Sequence, residues 1–315
     1  MTNSRSGIAY GLLASLTFGA TGALVKPLLE NGWSPAAAVT VRAAFAGLVL
    51  VPLAVVALRG KWNSLWRARW RILGMALIGV AGTQLVFFAA IQRIPVSSGL
   101  LIEYLAPLLL VGWVAATTKR MPRPVVFVGS VIAIVGLVLI IGPVAGGDLL
   151  GFVFAGLAAV GCAIYYLIAA RPADGLPPVA FASAGLLLGS LSLLVVGVTG
   201  LVPFTANFGE VAALGGIVPW WAPLLVLAMT TAIGYSSGIH ASQLLGSRLM
   251  SFIGMLEVVF ASLYAWLLLG ETLGILQLLG GVLILAGIAF VRAEKQVDAP
   301  LEALPVETER APART

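Results

Sequence analysis

Charge is what this sequence has least of. Of its 315 residues only 10% are charged, 18 Lys and Arg against 12 Asp and Glu, while 60% are hydrophobic and the mean hydropathy is +1.08. A soluble domain of that length carries roughly 25% charged residues to cover its surface. Lipid therefore solvates most of this chain, and the two soluble domains that length alone would suggest are excluded. Cysteine is nearly absent too. Cys162 is the only one, so neither an intramolecular disulfide nor a cysteine-based metal site is possible, and the redox compartment cannot be read from it. No nucleotide-binding loop, metal-ligand cluster or nucleophile triad occurs; glycine runs such as "GVAGTQ" lie inside apolar stretches. ATP-driven pumping and catalysis are unsupported, and no cofactor or metal is expected. The net charge of +6 and pI near 9.8 would suit nucleic acid. Yet the basic residues sit in short connections between apolar runs, and no basic stripe alternates with aromatics on a soluble surface. No nucleic-acid partner is expected.

What is present is a series of long apolar runs. A hydrocarbon core of about 30 Å takes roughly 20 helical residues. Ten runs fit, at about 8–26, 36–58, 72–92, 97–117, 124–142, 150–169, 178–200, 221–240, 248–269 and 273–292. They must be helices, because lipid offers no partner to a free backbone amide. The first begins like a signal peptide, but its apolar part of about 18 residues lacks a small-x-small cleavage site, which predicts a retained first span. Breaks fall at turn signals such as "KPLLENGWSP", "RIPVSS", "KRMPRP" and "GPVAGGD". The stretch "LVPFTANFGEVAALGGIVPWW" leaves two readings open, a structured loop or a short interfacial helix.

Basic residues orient the spans. With the N-terminus in the cytoplasm, the inner side collects Arg59, Lys61, Arg67, Arg69, Arg71, Lys119, Arg120, Arg123, Arg171, Arg248, Arg292 and Lys295. The outer side holds Lys26 and Arg93 with Glu30, Asp148, Glu210 and Glu271. Both termini are therefore expected in the cytoplasm. In "RGKWNSLWRARWR" (59–71), Trp62, Trp66 and Trp70 recur every four residues among five basic ones. An interfacial anchor explains this, and a lipid-binding or regulatory role is the alternative. The tail 293–315 is rich in Pro, Glu and Ala without periodicity, which predicts disorder.

The chain also repeats. A shift of 151 residues lays Gly129 on Gly280, Gly136 on Gly287, Val131 on Val282 and Ile102 on Ile253; a shift of 145 lays "GLLAS" (11–15) over "GLAAV" (156–160). Two halves, 1–145 and 146–292, follow, each with five spans. An odd number of spans inserts the second half upside down, a plan of secondary transporters whose substrate site lies at the midplane between halves. The segment from Pro107, Arg42 in the second span, and "LEVVFASLYAWLLLGETL" with the glycine-spaced span after it resemble the EamA-type repeats of the drug/metabolite transporter superfamily over residues 7–292. The Gly270-Glu271 pair carries much of that resemblance. The family pattern has proline where Val258 stands, and Trp-Gly where "TFG" (17–19) stands. The resemblance implies a multi-pass protein of the bacterial inner membrane that exports aromatic and other neutral amino acids. The absence of long soluble domains makes an obligate protein partner unnecessary; the expected partners are a small-molecule substrate and membrane lipid.

Charged groups inside the spans mark the candidate passage. Glu103 is the one charged residue between Ile94 and Thr118. It stands about 10 Å into the fourth span at 1.5 Å per residue, and Arg42 lies at about the same depth in the second. A charge in hydrocarbon costs at least about 2.5–3.5 kcal/mol, so both should face the bundle interior. Two arrangements relieve that cost: an ion pair between them, or a zwitterionic ligand with its amino group on Glu103 and its carboxylate on Arg42. Glu257 lies about 14 Å past Arg248, near the midplane. It would bind an amino group, carry a proton, or stay as a neutral hydrogen-bonded acid. Gln84 and Phe88 in the third span, Phe18 in the first, and Tyr104, Tyr165, Tyr166 and Tyr235 complete an apolar pocket with a few polar groups. Ser15, Gly19, Gly22 and Lys26 share one face of the first span. His240 is read as a hydrogen-bonded interface residue or a pH sensor. Pro107 removes a backbone donor four residues after Glu103 and kinks the fourth span, as a hinge or a static bend.

The fold expected is thus an all-α integral membrane protein of ten transmembrane helices in two inverted five-helix repeats. Its expected function is amino acid export by alternating access. Drug or small-metabolite efflux is the alternative, and Arg42, a carboxylate-binding group, counts against it.

Overall fold

A computed structural model of the chain describes residues 2–119, 121–142, 148–171, 175–213, 216–270, 272 and 274–293, without the side chains of 2–4 and 269. Arg120, Glu271, Lys295 and the tail beyond Ala293, on which parts of the sequence reading rest, lie outside the described residues.

The protein is a ten-helix membrane protein. Span 1 is Thr2–Glu30 and span 2 is Pro35–Ala57. Span 3 is Arg69–Ile91, and span 4 lies within Val96–Thr118. Spans 5, 6 and 7 are Pro124–Ile141, Leu149–Ala170 and Pro178–Val198. Starts follow local chemistry. Ser34 accepts from Ala37 N at 3.3 Å, with Pro35 in the first turn; Asp148 Oδ1 accepts from Gly151 N at 2.7 Å; Pro124 and Pro178 open spans 5 and 7. Each satisfies or dispenses with a first-turn N–H that has no helical partner.

The helix Trp221–Gly254 holds two spans, because the chain reverses at Gly246 (φ 80°, ψ 161°). A Cβ on Gly234 would meet Phe18, and one on Gly238 would meet Ala14. Past the turn, Gly11 faces Met250 and Ile253, and Gly19 faces Glu257 and Phe260. Residues 221–245, span 8, thus run antiparallel to span 1. Span 9, residues 247–254 continued by Leu256–Leu269, runs parallel to it. Span 10 is Ile275–Ala293.

Packing recurs across the halves. Span 1 packs on spans 8 and 9, and span 6 packs on spans 3 and 4; span 2 packs on 8, and span 7 on 3; 2 packs on 7, and 5 on 10. Spans 5 and 10 approach through glycine, with Gly129 on Gly287 and Gly136 on Gly280, hence antiparallel. Small residues let backbones come this close, where van der Waals contact replaces the missing hydrophobic drive.

Three local features depart from the plain ten-helix reading. Span 3 contains a π-helical segment, Met75–Gly82, in which Thr83 Oγ1 donates to Ile78 O at 2.7 Å. Wide turns of this kind cluster at functional sites. Span 4 is broken. The stretch before span 8 takes the first of its two readings, a structured loop: it forms a hairpin, Glu210–Ala213 paired antiparallel with Gly216–Pro219. It rests on the start of span 2: Trp33 Nε1 donates to Asn207 O at 2.6 Å, and Trp33 stacks on Trp220 at 6.0 Å. Two-stranded pieces are marginal alone, and this one is held by its aromatic seat.

Candidate functional site

Spans 4 and 9 both break beside a carboxylate. In span 4 the helix Val96–Glu103 ends at Glu103, Tyr104 and Leu105 turn, and Ala106–Thr118 resumes. Pro107 has no N–H to offer the Glu103 carbonyl, which places the break there. In span 9 the turn falls at Met255, and Glu257 lies in the first turn of Leu256–Leu269. Met255 is the position that the shift of 151 lays on Tyr104. Val258 occupies the place of Pro107, so span 9 breaks without a proline. Ser15 of span 1 braces it, its hydroxyl donating to Ile253 O at 2.9 Å.

The breaks bring the two carboxylates into one interior cluster. Glu103 lies within Coulombic reach of Glu257, and the Tyr104 hydroxyl lies near the Glu257 carboxylate. Arg42 of span 2 lies within Coulombic range of Glu257 and Tyr235. Cys162 and Tyr166 of span 6 lie within reach of both carboxylates. Rings close the walls: Phe18 meets Tyr235 edge-on at 5.2 Å, Tyr165 meets Tyr235 at 5.9 Å, and Tyr165 meets Tyr166 at 5.1 Å. The Tyr166 hydroxyl takes the space that a Cβ on Gly254 would need. Six spans thus converge on two carboxylates, one guanidinium and a ring of hydroxyls. Such a set can hold an ammonium and a carboxylate on one small molecule, with aromatic faces for the rest of it.

One expected contact does not form. Arg42 makes no ion pair with Glu103, and its Nε is buried without a hydrogen-bond partner. Equal depth did not make them neighbours, because span 2 packs on spans 7 and 8 rather than on span 4. An ion pair does join Arg93 and Asp148 at 3.3 Å, at the exposed ends of spans 3 and 6. Pairs at such exposure contribute at most about 1 kcal/mol.

Of the predicted site residues, the structure gathers Phe18, Arg42, Glu103, Tyr104, Tyr166, Tyr235 and Glu257. Lys26 is exposed on span 1, on the helical face that carries Ser15 and Gly19, and lower on that face Ser15 and Gly19 pack on span 9. Gln84 and the buried Phe88 lie on span 3, with no ring or charge contact to the cluster among the described residues. One member went unrecognised as a site residue, Cys162. Its signal was present: Cys162 shares one helical face with Tyr165 and Tyr166, at i, i+3 and i+4. His240 meets Tyr10 edge-on at 4.6 Å and is half-buried, on span 8 but outside the cluster. Arg248, counted from the sequence among the loop cations, is buried at the start of span 9.

Comparison with known proteins places these features in a wider group. A family model described as EamA-like transporter family matches residues 5–142 and again residues 149–293. An uncharacterized inner membrane transporter of Salmonella typhimurium, YicL, is 24% identical over 310 residues, covering 94% of this chain and 98% of its own. The threonine/homoserine exporter RhtA of Escherichia coli is 29% identical over 244 residues, 74% of this chain and 77% of its own. An uncharacterized transporter of Archaeoglobus fulgidus is 26% identical over 69% of this chain and 74% of its own. These relatives do not single out the aromatic amino acid exporters. A solved crystal structure superposes with a TM-score of 0.74 over 91% of this chain and 98% of that one, at 18% identity, which is a likeness of fold.

Proposed function

This chain belongs to the EamA-like transporter family, and we propose that it exports neutral amino acids across the inner membrane by alternating access. The observation that carries the proposal is Arg42: a guanidinium held inside a membrane bundle, its Nε buried and unpartnered, within Coulombic range of the Glu257 carboxylate. Burying a charge without satisfying it costs several kcal/mol, and a ligand carboxylate relieves that cost. In this reading the substrate carboxylate meets Arg42, and its ammonium meets Glu103 and Glu257. Tyr104, Tyr166, Tyr235 and Phe18 enclose its side chain. The name of RhtA supports substrates such as threonine and homoserine, beside the aromatic ones expected from the sequence.

The two halves, 1–145 and 146–292, rock against each other in this proposal, each inverted relative to the other. The glycine contact of spans 5 and 10 supports it. Gly129 and Gly280 are equivalent by the shift of 151, as are Gly136 and Gly287, and each glycine meets the other's equivalent. Such reciprocal pairing is the mark of a two-fold relation. Both termini lie in the cytoplasm on this reading, following the basic residues of the even-numbered connections.

Labelled threonine and phenylalanine taken up into proteoliposomes test the proposal, with Arg42→Met and Glu103→Gln beside the parent. Saturable uptake competed by neutral amino acids, and lost in both folded variants, is the expected result. Uptake that persists in both variants would remove the cluster from the path. Transport of organic cations in place of amino acids would replace the substrate class.

A further inference from the structure

Between spans 2 and 3 the chain forms two short helices, Asn63–Arg67 and the first turns of Arg69–Gly74. Their burial alternates with a period of four. Ser64, Ala68 and Ile72 are buried, Ala68 and Ile72 packing with Leu58 and Phe181. Half a turn away, Trp62, Trp66 and Trp70 are 54%, 68% and 71% exposed. An indole stripe projecting away from the protein at a span end belongs at the lipid interface.

Within that stripe one guanidinium is fixed. Arg69 lies 4.6 Å over the Trp66 ring and 5.6 Å from the Trp70 ring, and its Nη1 donates to Trp66 O at 2.9 Å. Stacking on two indoles and one anchored donor hold the plane of the fork. Arg71, its neighbour, is engaged inward, bonding Ile168 O and Arg171 O at 3.2 and 2.9 Å. Arg59, Lys61 and Arg67 are exposed in the same segment. No Asp or Glu occurs anywhere between Glu30 and Glu103, so this segment carries no acidic residue of its own to neutralise it.

We propose that Arg69, stacked between Trp66 and Trp70, binds the phosphodiester of an anionic phospholipid in the leaflet this end of the bundle meets. A planar guanidinium takes two phosphate oxygens at once, where an ammonium offers a point charge. The indoles lie at headgroup depth and keep the fork at the level of the phosphates. The exposed cations of the same segment select an anionic headgroup over a zwitterionic one, whose quaternary ammonium they repel.

Native mass spectrometry of the full chain, purified from vesicles of equimolar phosphatidylglycerol and phosphatidylcholine, tests this site. The parent should retain phosphatidylglycerol over phosphatidylcholine, and Arg69→Gln should lose that preference by about fivefold. Arg292→Gln, an exposed cation on span 10, should leave it unchanged. Equal retention by the parent and Arg69→Gln overturns the proposal, as does an equal loss in Arg292→Gln, which would signal net charge alone. Displacement of the lipid by millimolar inorganic phosphate would make this a site for free phosphate and overturn it too. Should Arg69→Gln fail to elute as a single species, Arg69→Lys takes its place. It keeps the charge and loses the fork, so retention equal to the parent again overturns the proposal.

Discussion

Gly136 and Gly280 touch through their backbones: a Cβ on either would stand 2.5 Å from the carbonyl oxygen of the other. Spans 5 and 10 therefore meet without side chains at this point, and Gly129 with Gly287 repeats the contact one half-span away. Substitution of either residue by alanine must push the helices apart. Gly136→Ala and Gly280→Ala should each lower stability by about 1–3 kcal/mol, as overpacking does. Thermal unfolding in detergent reads this. A parental midpoint for both variants would mean that the two helices separate freely.

Gly246 should be equally intolerant for a different reason. Its φ of 80° with ψ of 161° is open to glycine and closed to residues with a Cβ. Gly246→Ala should cost about 1–3 kcal/mol, and the loss should appear as reduced folded yield. The turn between spans 8 and 9 depends on it, since no proline or polar run separates them.

Arg42 separates stability from transport. Removing a guanidinium whose buried Nε has no partner relieves a desolvation cost, so Arg42→Met should unfold at the parental midpoint or above it. Its amino acid uptake should fall by at least about tenfold, the loss of about 1.4 kcal/mol of binding. A sharp drop in midpoint would instead show that Arg42 holds the fold through Glu257 and Tyr235.

Ser15 joins span 1 to the break in span 9 through Ile253 O. Ser15→Ala removes a buried hydrogen bond and leaves the carbonyl to other partners, a loss of about 1 kcal/mol. The same midpoint measurement checks it. Because the bond spans the break, Ser15→Ala should also raise amide exchange at Ile253 and Met255 above that of the rest of span 9.

Much of the fold is legible in the sequence because lipid imposes simple rules. Spans 5, 6 and 7 start and end within a few residues of their expected bounds, set by Pro124, Asp148 and Pro178. Pro107 announced the break in span 4. The break in span 9 had no such signal, since Val258 stands where proline would be. The π-helical segment of span 3 was equally silent, and the strand pairing before span 8 was not legible although a structured loop was one of two readings there. Both depend on contacts far along the chain, such as Trp33 with Trp220 and Thr83 against Gly161.

The candidate site divides in the same way. Glu103, Glu257 and Arg42 stood out because a charge within an apolar run is costly wherever it lies. Depth along a span follows from counting residues, and the sequence by itself determined that these groups lie inside the membrane. Azimuth does not follow from counting. Which face of each helix turns inward, and which span stands next to which, were decided by the tertiary packing. Span 2 lies on spans 7 and 8, so Arg42 faces Tyr235 and Glu257 rather than the Glu103 that shares its depth. The membrane supplies one coordinate of each residue through hydrophobicity, and only the side-to-side fit of small residues between helices supplies the other two.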